Sequence, residues 1–334
     1  MGVIVSHNEV LRQSQQVWDQ FGESKWIPFA KENAKLERRN ANELKGCGIG
    51  KFLVLAAMGE SLEDQIDVLK KYQDRVDIIT CDKGFVPLMK HGIKPKYVIV
   101  CDANVRYAHV EDHVMQTKDI ILIATPYAHT AWTTMWKGPR YFYVNRDSIQ
   151  SEKIFLPIMG EDSRIIPASS NVSNSMFVFM TGVDEREQVN WAGYEKYILI
   201  GYDYSWTANG HYYAWDNPYP KNAYMTHRFM LDMKGNLVRT SENLYFSMKW
   251  LFSYITAYNI PAVNCSNRGL LGIPLQNTLE NELKKINPNP KIRDRVKEQY
   301  LLAQSSARNF ELSKDMFMKS REDLWLSETM QKSA

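Results

Sequence analysis

Short, mainly apolar runs alternate with longer amphipathic segments through most of the chain. These runs cover residues 52–57, 76–81, 97–101, 120–124, 196–200 and 261–265, with shorter ones at 141–144 and 164–166. Runs of this kind are typical of strands that are buried on both faces of a parallel sheet. Helical segments separate several of them, at residues 62–72, 86–90, 172–180 and 243–258. The pattern therefore predicts an α/β fold with a Rossmann-like, doubly wound and mostly parallel sheet.

Polar helical segments flank this alternating region on both sides. Residues 1–50 are predicted to form a helical extension that ends in a glycine-rich breaker at 46–50. Residues 51–273 are predicted to form the Rossmann-like domain, and residues 274–334 a charged helical region. The terminal helices are expected to pack either on the sheet domain or on a second copy of the chain, which would give a homo-oligomer.

Composition mainly excludes classes of protein. Among 334 residues, 41 Lys and Arg nearly balance 38 Asp and Glu, so the net charge of +3 gives no reason to expect a nucleic-acid partner. The four cysteines are scattered and form neither a zinc-binding nor a disulfide pattern. No apolar stretch is long enough to span a bilayer, and the first 20 residues lack the apolar core of a signal peptide. We therefore expect a cytoplasmic protein.

Small and polar residues follow the ends of four predicted strands. In chain order they are Gly59 and Ser61, Asp82, Asp102 and Asn104, and Gly201 and Asp203. Open α/β sheets bind ligands at the carboxyl ends of their strands, where the strand order reverses. We expect the three aspartates to converge on one crevice, and Ser61 to form an anion site with the free amides of the next helix. The alternative is that each aspartate only caps a helix or a turn.

Two later segments add candidate site residues. Ser170 and Asn171 precede an apolar helix, where backbone amides either hold a phosphate or a base edge or are simply capped. Residues 204–216 form a loop rich in aromatic side chains, which would stack on a base or sugar or pack as a hydrophobic lid. Within or near this loop, Tyr213 is a candidate donor to phosphate, and His211 and His227 are candidate general bases.

The order and spacing of several segments resemble a known domain. The segments lie at residues 55–64, 91–102, 169–173, 198–203, 232–240 and 263–269. Together they resemble the domain shared by motility-associated-factor glycosyltransferases and 6-hydroxymethylpterin pyrophosphokinase-like proteins. Residues 209–216 are also similar to a stretch of bacterial CMP-sialic-acid-dependent sialyltransferases. The resemblance covers roughly residues 53–272.

The resemblance implies roles for individual residues. Gly59 and Ser61 would line the nucleotide phosphates, Asp82 would lie near the ribose or base, and Ser170 and Asn171 would hold the nucleotide. Tyr213 matches a tyrosine that hydrogen-bonds the departing phosphate in the sialyltransferases, and His211 matches a position that often holds a histidine. The chain departs from the pattern at Glu60, where a proline is usual, and at Lys96, where an aspartate is usual. We expect Glu60 to repel phosphate.

Three functions are consistent with these residues. The first is a glycosyltransferase that uses a nucleotide-activated sugar, most simply a CMP-linked nonulosonic acid. Its base would be His211 or His227, Tyr213 and Ser61 would donate to the leaving phosphate, and no metal cofactor would be needed. The second is a pterin pyrophosphokinase, whose Mg²⁺ would be held by Asp82, Asp102 and Asp203. The third is a non-catalytic nucleotide-binding or structural protein with a degenerate transferase fold. The acceptor is not specified by the sequence.

Overall fold

A nine-stranded sheet, with only parallel pairings among the described residues, forms the core of the computed structural model. In spatial order its strands are β1 (Arg39–Asn40), β6 (Arg140–Arg146), β5 (Ile121–Ala124), β4 (Tyr97–Val100), β3 (Asp77–Cys81), β2 (Phe52–Ala56), β8 (Lys196–Ile200) and β12 (Ala262–Asn264). A further strand, β7 (Arg164–Pro167), pairs with the later part of β6. The structure describes residues 12, 15–104, 110–146, 149–161, 163–167, 169, 171–182, 190–207, 210–215 and 227–286.

Eight α-helices with both ends among the described residues accompany this sheet, and residues 15–21 are also helical. They are α1 (Ile27–Asn33), α2 (Ser61–Tyr72), α3 (Asp82–Lys90), α4 (Thr130–Met135), α5 (Ile149–Met159), α6 (Val172–Thr181), α7 (Glu242–Ala257) and α8 (Leu279–Lys284). A π-helical turn, Gly22–Trp26, precedes α1, and 3₁₀ helices lie at Ala41–Leu44, Gln73–Arg75 and Val110–Asp119. None of the described helices is both long and apolar enough to cross a membrane.

A small antiparallel sheet follows the parallel one along the chain. Its strands are β9 (Trp206–Thr207), β10 (His227–Leu231) and β11 (Leu237–Ser241), with β11 in the middle. The turn between β10 and β11 contains Gly235 at φ +83°. This sheet was not predicted from the sequence.

The predicted fold class is confirmed. Each predicted strand of the parallel sheet lies within two residues of its predicted position, because these strands are buried and therefore continuously apolar. Helix α3 begins at Asp82, four residues earlier than predicted, and α4 and α5 were not predicted. A proline lies inside both α3 and α5, where it opposes a helical prediction, and α4 has only six residues.

The predicted domain boundaries at residues 50 and 273 stay predictions. Residues on their outer sides contact the parallel sheet, since β1 pairs with β6, and α8 packs on α2 and β8. The described residues up to Ile286 belong to one compact unit. The long helix predicted at 291–328 lies outside the described residues.

The order of the strands reverses between β2 and β8. From β2 the chain adds β3, β4, β5 and β6 on one side, and it then returns to add β8 and β12 on the other. Helix α2 follows β2 and buries Leu62, Ile66 and Leu69, which recur at helical spacing. The carboxyl ends of β2 and β8 are therefore neighbours at the switch point, where α/β sheets bind ligands.

Two glycines allow the backbones after β2 and β8 to touch. The amide of Gly59 donates to the carbonyl oxygen of Gly201 at 2.9 Å. Gly201 has φ +68°, and a Cβ at this position would lie 2.2 Å from the carbonyl oxygen of Ala57. A Cβ on Gly59 would lie 2.6 Å from the Gly201 oxygen. A side chain at either position would force the two strand ends apart.

A buried carboxylate also stabilises this junction between the segments that follow β2 and β8. Asp203, which follows β8 and is 2% exposed, accepts a 2.7 Å hydrogen bond from the Ser61 amide and a second bond from the Ser61 hydroxyl. Burial raises the pKa of Asp203 to about 7, although the bonds from Ser61 and the charge of Arg268 oppose the shift. Both Ser61 donors are at the first turn of α2, where the helix dipole favours an anion.

We expect Gly201→Ala to destabilise the protein more than Gly235→Ala. Both glycines have positive φ, but a Cβ at Gly235 would meet no atom within 4 Å. Gly235→Ala should therefore cost about 1 kcal/mol from backbone conformation alone. Gly201→Ala should cost about 3 kcal/mol because overpacking adds to the same term. Urea unfolding of both variants measures the difference, and equal losses would contradict the close contact with Ala57.

We also expect Asp203 to make stability depend on pH. Its raised pKa means that the folded state binds a proton that the unfolded state releases between about pH 4 and pH 7. The free energy of unfolding should therefore fall as pH rises through this window, by about 1.4 kcal/mol per unit of pKa difference.

Replacement of the titrating carboxyl tests this dependence. Asp203→Asn should flatten the decrease in unfolding free energy between about pH 4 and pH 7, as measured by urea unfolding. Asp67→Asn is the matched control, because Asp67 is exposed on α2, and it should leave the slope unchanged. A wild-type slope in the Asp203→Asn variant would show that Asp203 is not the titrating group.

Candidate active site

A cavity of about 610 Å³ lies along the carboxyl edge of the parallel sheet. Its size is typical of pockets that bind small ligands. Residues after β2, β3, β4, β5, β7 and β8 line it, together with Asn145 in β6, the start of α6 and part of the aromatic loop. The structure brings seven predicted site residues to this one cavity: Gly59, Asp82, Asp102, Asn104, Asn171, Gly201 and Tyr213.

The other predicted site residues lie elsewhere. Ser61 and Asp203 are buried against each other and are absent from the cavity wall, so Ser61 has a protein carboxylate where phosphate was expected. His211 is also absent from the wall, and its Nδ1 is buried without a hydrogen-bond partner. His227 begins β10 opposite Ser241, and its side chain is not described. Ser170 lies outside the described residues.

Asp82 is a buried acid in the cavity wall. It starts α3, is 5% exposed, and accepts a 2.7 Å bond from the amide of Lys83. Burial raises the pKa of Asp82 to about 6, and the charge of Asp102 adds to the increase. A carboxyl group with such a pKa can exchange protons near neutral pH, as a general base must. Asp102 is exposed and accepts from the Asn104 amide at 2.7 Å.

Lys83 is a cation in the cavity wall that was not predicted from the sequence. Its Nζ lies 3.9 Å from the centre of the Tyr213 ring, and the ion pairs of the described residues do not include it. A lysine without a carboxylate partner is suited to bind phosphate as a point charge. The sequence could have indicated Lys83, because it directly follows Asp82 at the end of a predicted strand.

The start of helix α6 lies in the wall of the same cavity. Asn171 is the N-cap, and its side-chain oxygen accepts from the Asn174 amide at 2.9 Å. Val172 and Ser173 follow in the cavity wall. Their amides belong to the first turn of a ten-residue helix, where N–H groups have no partner within the helix and attract anions. Asn171 therefore caps the helix, and the next two residues line the cavity.

Glu60 has a different role from the predicted one. It is 6% exposed, and its Oε2 accepts a 2.9 Å bond from the Thr207 amide. Its Oε1 accepts from the Thr207 hydroxyl at 3.3 Å and from the amide of His211. A Cβ on Gly210 would collide with this oxygen. Glu60 is absent from the cavity wall and binds the aromatic loop, so it does not face the cavity in which phosphate was expected.

The aromatic loop is held at several points and supplies one wall of the cavity. Glu63 accepts from the Trp215 amide at 2.6 Å, and the Ala214 amide donates to the Met58 carbonyl at 2.9 Å. Part of the loop packs on the protein, because the Trp215 ring stacks on His91 at 4.6 Å. Tyr212 and Tyr213 instead line the cavity. The interpretation as a packed lid therefore describes Trp215, whereas stacking of the loop on a base or sugar stays a prediction.

Residues before β1 close another side of the cavity. Val17, Phe21 and Trp26 lie in the wall, and Lys25 donates to the side chain of Asn104 at 2.7 Å. The sequence predicted these residues only as part of a helical extension, because their cavity-facing position depends on contacts with distant segments.

The three aspartates do not form the cluster that was expected to hold Mg²⁺. In the part of the chain that the structure describes, no three His, Cys, Asp or Glu side chains are close enough together to hold a metal ion. Asp203 is bonded to Ser61, whereas Asp82 and Asp102 line the cavity. Mg²⁺ in phosphate-transferring enzymes usually takes one or two protein carboxylates together with substrate phosphates, so this pair fits that smaller ligand set.

A comparison with solved structures relates this fold to that of a larger protein. The structure of the MAf glycosyltransferase from Magnetospirillum magneticum AMB-1 matches with a TM-score of 0.54 and 18% sequence identity. The match covers 83% of this chain but only 42% of the glycosyltransferase, so the chain spans less than half of that protein. At this identity the match shows a shared fold.

Sequence comparison gives the family. Among curated proteins, none matches this chain. The family model described as 6-hydroxymethylpterin diphosphokinase MptE-like matches residues 27–209, which is more than half of the chain and includes β1 to β9. The suspected relationship is therefore confirmed, and the chain belongs to the MptE-like family.

Proposed function

We propose that the chain is a glycosyltransferase that binds a nucleotide-activated sugar in the cavity along the carboxyl edge of the sheet. The observation that carries the proposal is the combination of Lys83, unpaired with any carboxylate among the described ion pairs, and the start of α6 in one cavity wall. Both are suited to a phosphate group. The shared fold with a glycosyltransferase supports this choice.

The proposed reaction transfers the sugar to a hydroxyl group. The acceptor oxygen forms a bond to the anomeric carbon, and the bond from that carbon to the phosphate oxygen breaks. The phosphate leaves with the bonding electrons, and the acceptor proton passes to a base. The ammonium group of Lys83, the hydroxyl of Tyr213 and the first amides of α6 would stabilise the charge of the leaving phosphate.

Asp82 is the base that the geometry favours over the predicted histidines. Asp82 lies in the cavity wall, whereas His211 does not and the His227 side chain is not described. The donor is proposed to be a CMP-linked nonulosonic acid, which rests on the sequence resemblance. A metal-independent reaction, a homo-oligomer and a cytoplasmic location are parts of the proposal that rest on the sequence alone.

Nucleotide binding is the first test of this proposal. Melting temperature is measured with CMP, CDP, UDP, GDP and ATP, each with and without Mg²⁺, because a ligand that binds the folded state raises the melting temperature. We expect CMP to raise it equally in the presence of Mg²⁺ or EDTA. The absence of a shift with every nucleotide would contradict the proposal and favour the non-catalytic alternative.

Lys83→Ala tests the phosphate site directly. The dissociation constant of CMP should increase about tenfold or more, because a hydrogen bond to a charged group contributes roughly 1.5–3 kcal/mol. Lys90→Ala is the matched control at the other end of α3, where the side chain is exposed, and should leave CMP affinity unchanged. Equal effects of the two substitutions would show that only overall charge matters.

Asp82→Asn tests the proposed base. With donor and acceptor supplied, the transfer rate should fall about 100-fold or more while CMP affinity changes little. The wild-type rate should rise with pH through about 6, where Asp82 loses its proton. His211→Ala should leave the rate nearly unchanged. A large loss in His211→Ala with full activity in Asp82→Asn would reverse the assignment.

The family match favours a second candidate, a pterin diphosphokinase. This enzyme would transfer a diphosphate group from ATP to a pterin alcohol, and Asp82 and Asp102 would hold Mg²⁺ together with the phosphates. When bound, Mg²⁺ would neutralise phosphate charge. A shift in melting temperature only with ATP and Mg²⁺, which EDTA reverses, would select this function over the glycosyltransferase.

A further inference from the structure

We propose that the exposed face of the β10–β11 hairpin binds the surface of an anionic lipid bilayer. Phe229, Leu231 and Leu237 would enter the boundary between headgroups and acyl chains, and Lys234 and Arg239 would attract the lipid phosphates. This inference goes beyond the proposed function and does not depend on it, because none of these five residues lines the cavity.

The apolar side chains of this face form one patch. Phe229 and Leu231 are two residues apart in β10, so their side chains lie on the same face of the strand. Leu237 of β11 is paired directly with Leu231 and therefore shares that face. The three side chains are 59%, 65% and 57% exposed in chain order. The opposite face packs on the protein, since Val238 and Thr240 are buried. Large apolar side chains exposed at adjacent positions indicate a contact surface.

The turn of the hairpin extends away from the protein and ends in a cation. A Cβ on Gly235 would meet no atom within 4 Å, and Lys234 and Asn236 beside it are exposed. Asp232, the acid of this turn, is buried, and its Oδ1 accepts from the amides of Lys234 at 2.9 Å and Asn236 at 2.8 Å. Lys234 is therefore the exposed charge of the turn.

A second cation borders the apolar patch. Arg239 is paired with Phe229 across the hairpin, and its guanidinium lies 5.4 Å from the centre of the Phe229 ring. The ion pairs between described residues include neither Lys234 nor Arg239, whereas Arg228 is paired with Glu242 at 2.8 Å. The face is thus apolar with a positive margin. An anionic bilayer complements both properties, because it offers an apolar interior below a negatively charged surface.

Charge and side-chain type favour this occupant over two others. A second copy of the chain on the same face would enclose Lys234 and Arg239 of both copies, with no free carboxylate of the hairpin to balance them, and like charges repel. A nucleic acid would leave Leu231 and Leu237 unused, because aliphatic side chains do not stack on bases as aromatic rings do. Insertion of a few side chains binds weakly by itself, so the cations are needed in addition.

Vesicle co-sedimentation of the full chain tests the proposal. The vesicles contain phosphatidylcholine alone or phosphatidylcholine with about one third phosphatidylglycerol. We expect the wild type to bind the anionic vesicles only. Binding should be lost at about 1 M NaCl, because screening then restricts the interaction of exposed charges to about 3 Å. Equal binding to both kinds of vesicle would contradict the proposal.

Substitutions locate the binding surface. Leu231→Ser should weaken binding to the anionic vesicles about tenfold, because less apolar surface is buried. Lys234→Ala should weaken it about fivefold, because one cation near the surface is lost. The matched controls are Met115→Ser and Lys118→Ala, at exposed positions of the 3₁₀ helix Val110–Asp119, and they should leave binding unchanged. Equal effects of Leu231→Ser and Met115→Ser would place the binding surface elsewhere and overturn the inference.

Light scattering of the same samples identifies the other occupants. A dimer that Leu231→Ser dissociates would show that a second copy covers the face, and the inference would be wrong. A monomer that binds neither kind of vesicle would leave the face to another protein and would equally overturn it. The lipid and salt comparisons use the wild type, so they decide the question even if a variant does not fold. A shift of melting temperature with CMP tests the proposed function separately, because no vesicle is present.

Discussion

The hydrogen bonds between Asp203 and Ser61 fix the junction on which the site depends. A buried carboxylate is costly, and two donors at the start of α2 offset part of that cost. The remaining cost is visible as the raised pKa of Asp203. The contact sets the start of α2 against the end of β8, so Glu60 and Glu63 are placed to bind the aromatic loop. The first turn of α2 thus links the switch point of the sheet to the aromatic loop, which forms one wall of the cavity.

The same contact explains why two helix starts have different roles. At α2, protein groups occupy the anion position, since the carboxylate of Asp203 bonds to both donors of Ser61. At α6, the side chain of Asn171 satisfies only the Asn174 amide, and Val172 and Ser173 face the cavity. A sequence that predicts anion sites at both helices cannot distinguish them, because the decisive carboxylate is 142 residues away from Ser61.

The local pattern of apolar and polar residues was sufficient to predict the parallel sheet and part of the candidate site. Strand ends indicated Asp82 and Gly201 because the rule for α/β sheets needs only strand positions. The same reasoning missed Asn145, whose strand was expected to end one residue earlier, and it missed Trp26, which lies in a segment with little apolar periodicity. The position of both in the cavity wall depends on long-range contacts with Tyr127. The sequence analysis also missed the contact of Glu60 with the aromatic loop, because its partners Thr207 and His211 cannot be inferred from spacing.

One wall of the cavity is formed by residues that precede β1, and these residues are synthesised before the residues that they contact. Trp26 stacks on Tyr127, and Asn33 of α1 donates to the carbonyl oxygen of Ala128, 95 residues later. Trp26 and Asn33 are therefore synthesised well before Tyr127 and Ala128, the residues that they contact in the folded protein. Contacts between residues so far apart form slowly, because the intervening chain must first be ordered. Trp26 and Asn33 therefore lack these two contacts until the chain as far as Ala128, shortly after β5, has been made.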